Sequence, residues 1–126
     1  MIAAMEVQGV IGAPYVPGGG VGSYDCWTLF CRFANAPEVW RDPLASMEDI
    51  ASRLVEATNR NAWSRTESPE DGDAVLCSQA SRMHHIGIWY DGRVLHADRP
   101  SVRLESLDDM KMRGYRRFEF WRWAGE

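Results

Sequence analysis

Long apolar runs and an excess of positive charge are both missing from this sequence. No stretch approaches the roughly 20 consecutive apolar residues that a membrane-spanning helix requires, and no signal peptide is apparent. Lys and Arg number 14 against 18 Asp and Glu, which gives a net charge of −4. Sequence-independent nucleic-acid binding and polybasic membrane anchoring both need a cationic surface. We therefore expect neither a nucleic acid nor a membrane as a partner.

Cysteine is also scarce, with three residues in a chain of 126. An odd number leaves at least one thiol outside any internal disulfide, so a disulfide-stapled secreted scaffold is a poor interpretation. A zinc site is an alternative, but no Cys-x-x-Cys pair occurs and the histidines lack a conventional zinc-ligand spacing. We expect no metal and no cofactor, and ask which cysteine carries chemistry.

The first half of the chain has helical periodicity. Apolar spacing predicts helices near Met1–Val10, from Cys26 to no later than Ala36, and over about Met47–Arg60. A glycine-rich loop, Gly12–Gly20, separates the first two. No linker or internal repeat interrupts the sequence, so residues 1–126 are expected to form a single domain.

The second half is strand-like after a polar connection over residues 62–72. The predicted strands are Asp73–Ser78, His85–Tyr90, Arg93–Asp98, Ser101–Leu104 and Tyr115–Trp123. Helices followed by antiparallel strands are typical of the α+β class. The predicted architecture is therefore N-terminal helices packed on an antiparallel sheet.

Cys26 is the first candidate for chemistry because it lies in the first turn of a predicted helix. Backbone N–H groups and the helix dipole favour a thiolate there, which lowers the thiol pKa and strengthens the nucleophile. The alternative is a buried, inert cysteine. Cys31 and Cys77 are predicted to be core residues.

A cysteine nucleophile needs a base, and a predicted hairpin supplies one. Asp91-Gly92 is a strong two-residue turn, and it places His85 and His96 on one face as diagonal neighbours within hydrogen-bond reach. Gly87 is expected to leave open space beside them. Asp98 also faces His85 in this register and is an alternative to His96, whereas His84 points to the opposite face.

Tryptophan is abundant, and core packing accounts for most of the six residues. Trp27 follows the candidate nucleophile, and Trp89 shares the face of His85. These two are therefore predicted to line a substrate cleft.

Four segments occur in a specific order between Gly12 and Ala97. They are Tyr15 with Gly18-Gly19-Gly20, Asp25-Cys26-Trp27, Gly72-Asp73-Ala74-Val75, and the run from His85 to Ala97. Together they resemble the successive signatures of the NlpC/P60 cysteine peptidases. The Asp-Cys-Trp form is most similar to the branch of phage and prophage tail-associated cell-wall peptidases.

The resemblance implies a papain-like α+β domain that hydrolyses an amide bond in peptidoglycan stem peptides, commonly between γ-D-glutamate and a diamino acid. It implies Cys26 as nucleophile, His85 as general base and later acid, His96 as the residue that orients His85, and Tyr15 beside the nucleophile. Trp27-Thr28 replaces the small pair that many members carry after the cysteine, and Pro17 replaces a common aromatic residue. These departures concern the substrate pocket.

Two alternatives remain open at the level of sequence. The first alternative to a peptidase is a cell-wall-binding or structural tail module with a vestigial cysteine site. The second is an amidase or acyltransferase of the same superfamily. The expected partners are the peptidoglycan peptide and phage tail proteins. The expected location is the virion tail, or the bacterial cytoplasm before assembly.

Overall fold

The computed structural model describes residues 2–34, 63–79 and 85–123. Within these ranges lie helices α1 (Ala4–Val10), α2 (Cys26–Phe33) and α3 (Leu107–Met112), and strands β1 (Trp63–Thr66), β2 (Ala74–Ser78), β3 (His85–Tyr90), β4 (Arg93–Ala97), β5 (Val102–Glu105) and β6 (Arg117–Trp123). The helix predicted over Met47–Arg60 and the residue His84 lie outside the described residues. None of the described helices combines the length and apolar character needed to span a membrane.

The six described strands form one antiparallel sheet in the order β1-β6-β2-β3-β4-β5. Helix α2 packs against strands β3 and β4. The predicted α+β class, with helices on an antiparallel sheet, is confirmed.

Two elements were not predicted. Strand β1 forms inside the predicted polar connection because it pairs with β6 and buries Trp63, whose ring lies 5.5 Å from that of Trp123. Helix α3 is capped by Ser106, whose hydroxyl accepts a hydrogen bond from the Asp109 N–H (3.1 Å), and it buries Met110. Both elements are too short for hydrophobic periodicity to reveal them.

The β3–β4 hairpin has the predicted register. Trp89 lies opposite Val94, and Tyr90 lies opposite Arg93. Both turn residues have positive φ, 51° at Asp91 and 73° at Gly92, as two-residue hairpin turns require. This register places the side chains of His85 and His96 on one face of the sheet.

Both faces of the sheet are apolar. One face packs against Leu29 and Phe30 of α2. The other face, which carries the two histidines, packs against Met110 and Tyr115. The histidines therefore lie inside a second core layer, built by the segment that follows β5.

Gly87 is tightly packed, so the prediction of open space beside it is wrong. A Cβ at this position would lie 2.8 Å from Val94 Cγ1, 2.9 Å from the Leu95 carbonyl oxygen and 3.1 Å from His96 Cβ. Glycine is therefore what lets β4 lie this close to β3 beside His96.

Replacing Gly87 by alanine is expected to lower the free energy of unfolding by roughly 1–3 kcal/mol, the usual range for an overpacked interior. The Leu95 carbonyl belongs to the strand pairing and cannot move away without disturbing it. Chemical denaturation followed by circular dichroism measures the effect. Gly9→Ala in α1 is the matched control, since a Cβ there meets nothing within 4 Å. Equal stability of Gly87→Ala and wild type would contradict the argument.

Candidate active site

Cys26 is the first residue of α2, and a capping box fixes the start of that helix. The Asp25 carboxylate accepts a hydrogen bond from the Thr28 N–H (2.8 Å), while Thr28 Oγ1 accepts one from the Asp25 N–H (2.9 Å). The other Asp25 oxygen accepts from the Gly18 N–H (2.7 Å), which ties the glycine-rich loop to the helix. These contacts hold the cysteine backbone in place.

The Cys26 thiol lies at the start of β3, where the Ile86 N–H stabilises its thiolate form together with the Trp27 N–H. Ile86 directly follows His85 along the strand. Cys26 is only 2% exposed, and this burial is the largest influence on its pKa, which rises to about 12. The predicted lowering of the thiol pKa is therefore wrong for the protein at rest, because desolvation outweighs the backbone amides.

His85 and His96 are joined by a hydrogen bond, as the hairpin register predicts. Nε2 of His85 and Nδ1 of His96 are 2.9 Å apart, and the two rings meet nearly perpendicularly. Both residues are buried, His96 completely. A buried pair of this kind has its rings held in one orientation.

A glutamate that the sequence analysis missed extends this pair. Glu105 Oε1 lies 2.8 Å from Nε2 of His96 and 3.3 Å from Nε of Arg113. The hydrogen bond to His96 is the main cause of a lowered pKa for the Glu105 carboxyl. The strand predicted over Ser101–Leu104 extends to Glu105 in the structure. Because the prediction stopped one residue short, it did not place Glu105 on the strand beside His96.

Tyr115 covers the histidine pair and holds Asp98. Its ring lies 5.2 Å from the ring of His85 and 6.2 Å from that of His96, and its hydroxyl donates to Asp98 Oδ2 (2.7 Å). Burial, followed by this bond, raises the pKa of Tyr115 well above its usual value. Tyr115 therefore acts as a neutral hydroxyl here. It was predicted as a strand residue without a role in the site.

Asp98 lies beside the histidines, but its observed bonds are directed elsewhere. Oδ2 accepts from Tyr115, and Oδ1 accepts from the Arg99 N–H (2.7 Å). Burial acts to raise the pKa of Asp98, but these hydrogen bonds and the two imidazoles lower it overall. Of the two candidates for orienting His85, His96 is the one that is hydrogen-bonded to Nε2 of His85.

Tyr15 is half-buried and lies near Cys26. Burial and then the nearby Cys26 raise the pKa of its hydroxyl. Its backbone N–H donates to the Pro100 carbonyl (2.9 Å), and the Arg99 guanidinium lies over its ring, 4.9 Å from the centroid.

Of the two tryptophans predicted to line a cleft, Trp27 is buried and Trp89 is partly buried. Trp27 is 2% exposed and its ring packs against Phe30 in the core under α2. Trp89 is four residues from His85, about 13 Å along the strand, and meets Phe120 edge-on at 5.3 Å. The structure thus gives both indoles packing contacts and does not bring Trp89 to the histidines.

The remaining cysteines are buried, as predicted. Cys31 lies in the α2 layer, and Cys77 lies in the layer that contains Tyr115. The Cys77 thiol donates to the His85 carbonyl (3.7 Å), and burial raises its pKa. All three cysteines are thiols.

One group of described side chains has donor atoms close enough to hold a metal ion. Ligand atoms of His85, His96 and Asp98 lie within 4.8 Å of one another. The facing nitrogens of the two histidines are already joined by their hydrogen bond, so a cation would have to break it. The arrangement fits a hydrogen-bonded imidazole pair more directly than metal coordination.

Comparison with known proteins gives one match. The model of the NlpC/P60 family matches residues 12–118, a span that contains Cys26, His85 and His96. Searches of curated proteins and of solved structures returned no match. Members of this family are generally cysteine peptidases that hydrolyse peptidoglycan. Because the match covers most of the chain and all of strands β1 to β5, the protein belongs to the NlpC/P60 family.

Proposed function

We propose that this protein is a cysteine peptidase that hydrolyses the amide bond between γ-D-glutamate and the following diamino acid in peptidoglycan stem peptides. The observation that carries the proposal is a cysteine at the head of a capped helix, set against the strand that begins with His85, whose ring is hydrogen-bonded to His96. Family membership supports the class of substrate. The particular bond rests on the resemblance alone.

In the proposed reaction, His85 takes the Cys26 proton as the sulfur attacks the carbonyl carbon. The thiol is protonated at rest, so proton transfer accompanies attack rather than preceding it. The displaced electron pair moves to the carbonyl oxygen, where the Cys26 N–H is the proposed donor; a contact of this type is worth roughly 3–4 kcal/mol.

The intermediate then loses its amine. The C–N bond breaks, the amine leaves with the proton from His85, and a thioester to Cys26 remains. Water, deprotonated by His85, attacks the thioester and releases a carboxylic acid. The proton returns to the sulfur, and the thiol is restored.

We also propose that the protein is part of a phage or prophage tail. It would be made in the bacterial cytoplasm and then be located in the virion. Asp25-Cys26-Trp27 supports this through its resemblance to that branch. Mass spectrometry of purified tail particles tests it, and consistent absence of the chain from them would contradict it.

Cys26→Ala is expected to abolish release of cleaved stem peptides from purified peptidoglycan while leaving the circular dichroism spectrum unchanged. The reason is that the attacking sulfur is gone. Mass spectrometry of the digest identifies the new termini and therefore the bond. Cys31→Ala, on the same helix, is the matched control and should keep activity, and EDTA should not inhibit the wild type.

Undiminished cleavage by Cys26→Ala would refute the peptidase mechanism. Termini other than γ-D-glutamate and the diamino acid would reassign the same cysteine chemistry to the amidase or acyltransferase alternative.

His96→Ala is expected to slow turnover about 100-fold or more without abolishing it, because His85 keeps its chemistry but loses the group that orients it. Steady-state kinetics measure kcat and KM. His96→Gln, which can still accept a hydrogen bond, should recover part of the loss. Normal turnover by His96→Ala together with inactivation by Asp98→Asn would transfer the orienting role to Asp98.

A second function, a cell-wall-binding module with a vestigial site, is favoured by the burial of the thiol. Cys26 is 2% exposed, as an inert core cysteine would be. On this alternative, purified peptidoglycan binds the wild type and Cys26→Ala equally and is cleaved by neither.

The raised pKa of Cys26 predicts slow alkylation by iodoacetamide at pH 7. The rate should increase roughly tenfold per pH unit up to pH 10, because the thiolate fraction rises in that proportion below the pKa. Peptide mass spectrometry follows Cys26 separately from Cys31 and Cys77. The denatured chain is the control and should titrate near 8.5. A plateau below pH 8 in the native protein would show that the thiol pKa is not raised.

A further inference from the structure

His96 has a partner at each ring nitrogen and no contact with solvent. Nδ1 is 2.9 Å from Nε2 of His85, and Nε2 is 2.8 Å from Oε1 of Glu105. The residue is 0% exposed. A neutral imidazole has one donor and one acceptor nitrogen, so these partners decide which nitrogen carries the proton.

Glu105 decides the proton positions because an ionised carboxylate can only accept hydrogen bonds. Its pKa is lowered by the bond to His96 and by Arg113 and Arg103, so it is ionised at neutral pH. His96 must then carry its proton on Nε2 and accept through Nδ1. His85 in turn must donate from Nε2, which leaves Nδ1 of His85 unprotonated. That is the form in which His85 can accept a proton.

The strand geometry gives Glu105 this position without strain. Arg103 is the direct cross-strand partner of His96, and Glu105 lies opposite Val94, so Glu105 is the diagonal neighbour of His96. His85 and His96 are related by the same diagonal step across β3 and β4. The Glu105 side chain is 14% exposed and is anchored by Arg113 Nε at 3.3 Å.

We propose that Glu105 is a positioning residue that fixes the proton positions of both His96 and His85 and stabilises the imidazolium formed when His85 accepts a proton. This inference rests on the proposed function for its kinetic consequences. The assignment of proton positions rests on the hydrogen bonds alone.

Several other charged or titratable groups surround the two imidazoles and must stay unchanged in the test. They are Cys26 of α2, Cys77 of β2, Asp98 after β4, Arg103 of β5, Arg113 after α3 and Tyr115 before β6. Removing only the negative charge of Glu105 is therefore more informative than removing the residue.

The experiment compares Glu105→Gln, which keeps an acceptor oxygen but loses the charge, with Glu105→Met, which loses both. Glu119→Gln is the matched control, since Glu119 is similarly buried at 18% exposure and is also paired with arginines. Nitrogen-15 NMR of the histidine rings reports the protonated nitrogens, and kinetics on purified peptidoglycan give kcat, KM and the pH profile.

Glu105→Gln is expected to lower kcat on the order of 10-fold with KM unchanged, and Glu105→Met on the order of 100-fold, the range for a group acting through another. Without the carboxylate the imidazolium is less stable, so the acidic limb of the kcat/KM profile should move to lower pH in both variants. In Glu105→Met the ring nitrogens of His96 should also lose their single protonation pattern. Glu119→Gln should match the wild type in every measurement.

Wild-type proton positions and an unshifted acidic limb in both Glu105 variants would overturn the proposal. If Glu105→Met fails to fold, the pH profile of Glu105→Gln decides. If the wild-type protein cleaves no peptidoglycan, the proposed function fails, and the NMR comparison still confirms or refutes the role of Glu105.

Discussion

The hydrogen bond between His85 and His96 depends on the register of one hairpin. The two residues lie on adjacent strands, and a shift of one residue would turn one side chain to the opposite face. The Asp91-Gly92 turn, with φ positive at both residues, sets that register. Gly87 then allows the strands to approach beside His96, where a Cβ would meet the Leu95 carbonyl. The rest of the site is arranged around this bond.

Burial of the pair explains why so many polar groups surround it. An imidazole nitrogen removed from water without a partner costs free energy, so each one needs a hydrogen bond. Glu105 supplies the partner at Nε2 of His96, and Tyr115 shields both rings while its own hydroxyl bonds to Asp98. The second core layer therefore buries the two histidines, and the charged groups at its edge supply the hydrogen bonds that this burial requires.

The parts of the site that sequence could predict are those fixed by local signals. The capped helix beginning at Cys26 and the Asp91-Gly92 hairpin both follow from neighbouring residues, and they place the cysteine, His85 and His96. Glu105 and Tyr115 could not be found in this way. Their positions depend on how the chain turns after Ala97 and on α3, which is too short to show periodicity. The pKa of Cys26 was wrongly predicted because burial is a property of the assembled core.

The raised thiol pKa is consistent with the charges around the site. A standing thiolate–imidazolium pair would bury two ions in the protein interior, and desolvation would oppose it. Asp98 and Glu105 are held ionised, with Arg113 within 3.6 Å of Asp98 and 3.3 Å of Glu105. When His85 accepts a proton, the new positive charge arises beside carboxylates already in place. In the proposed reaction, the site would therefore favour the imidazolium of His85 while Cys26 stays a neutral thiol at rest.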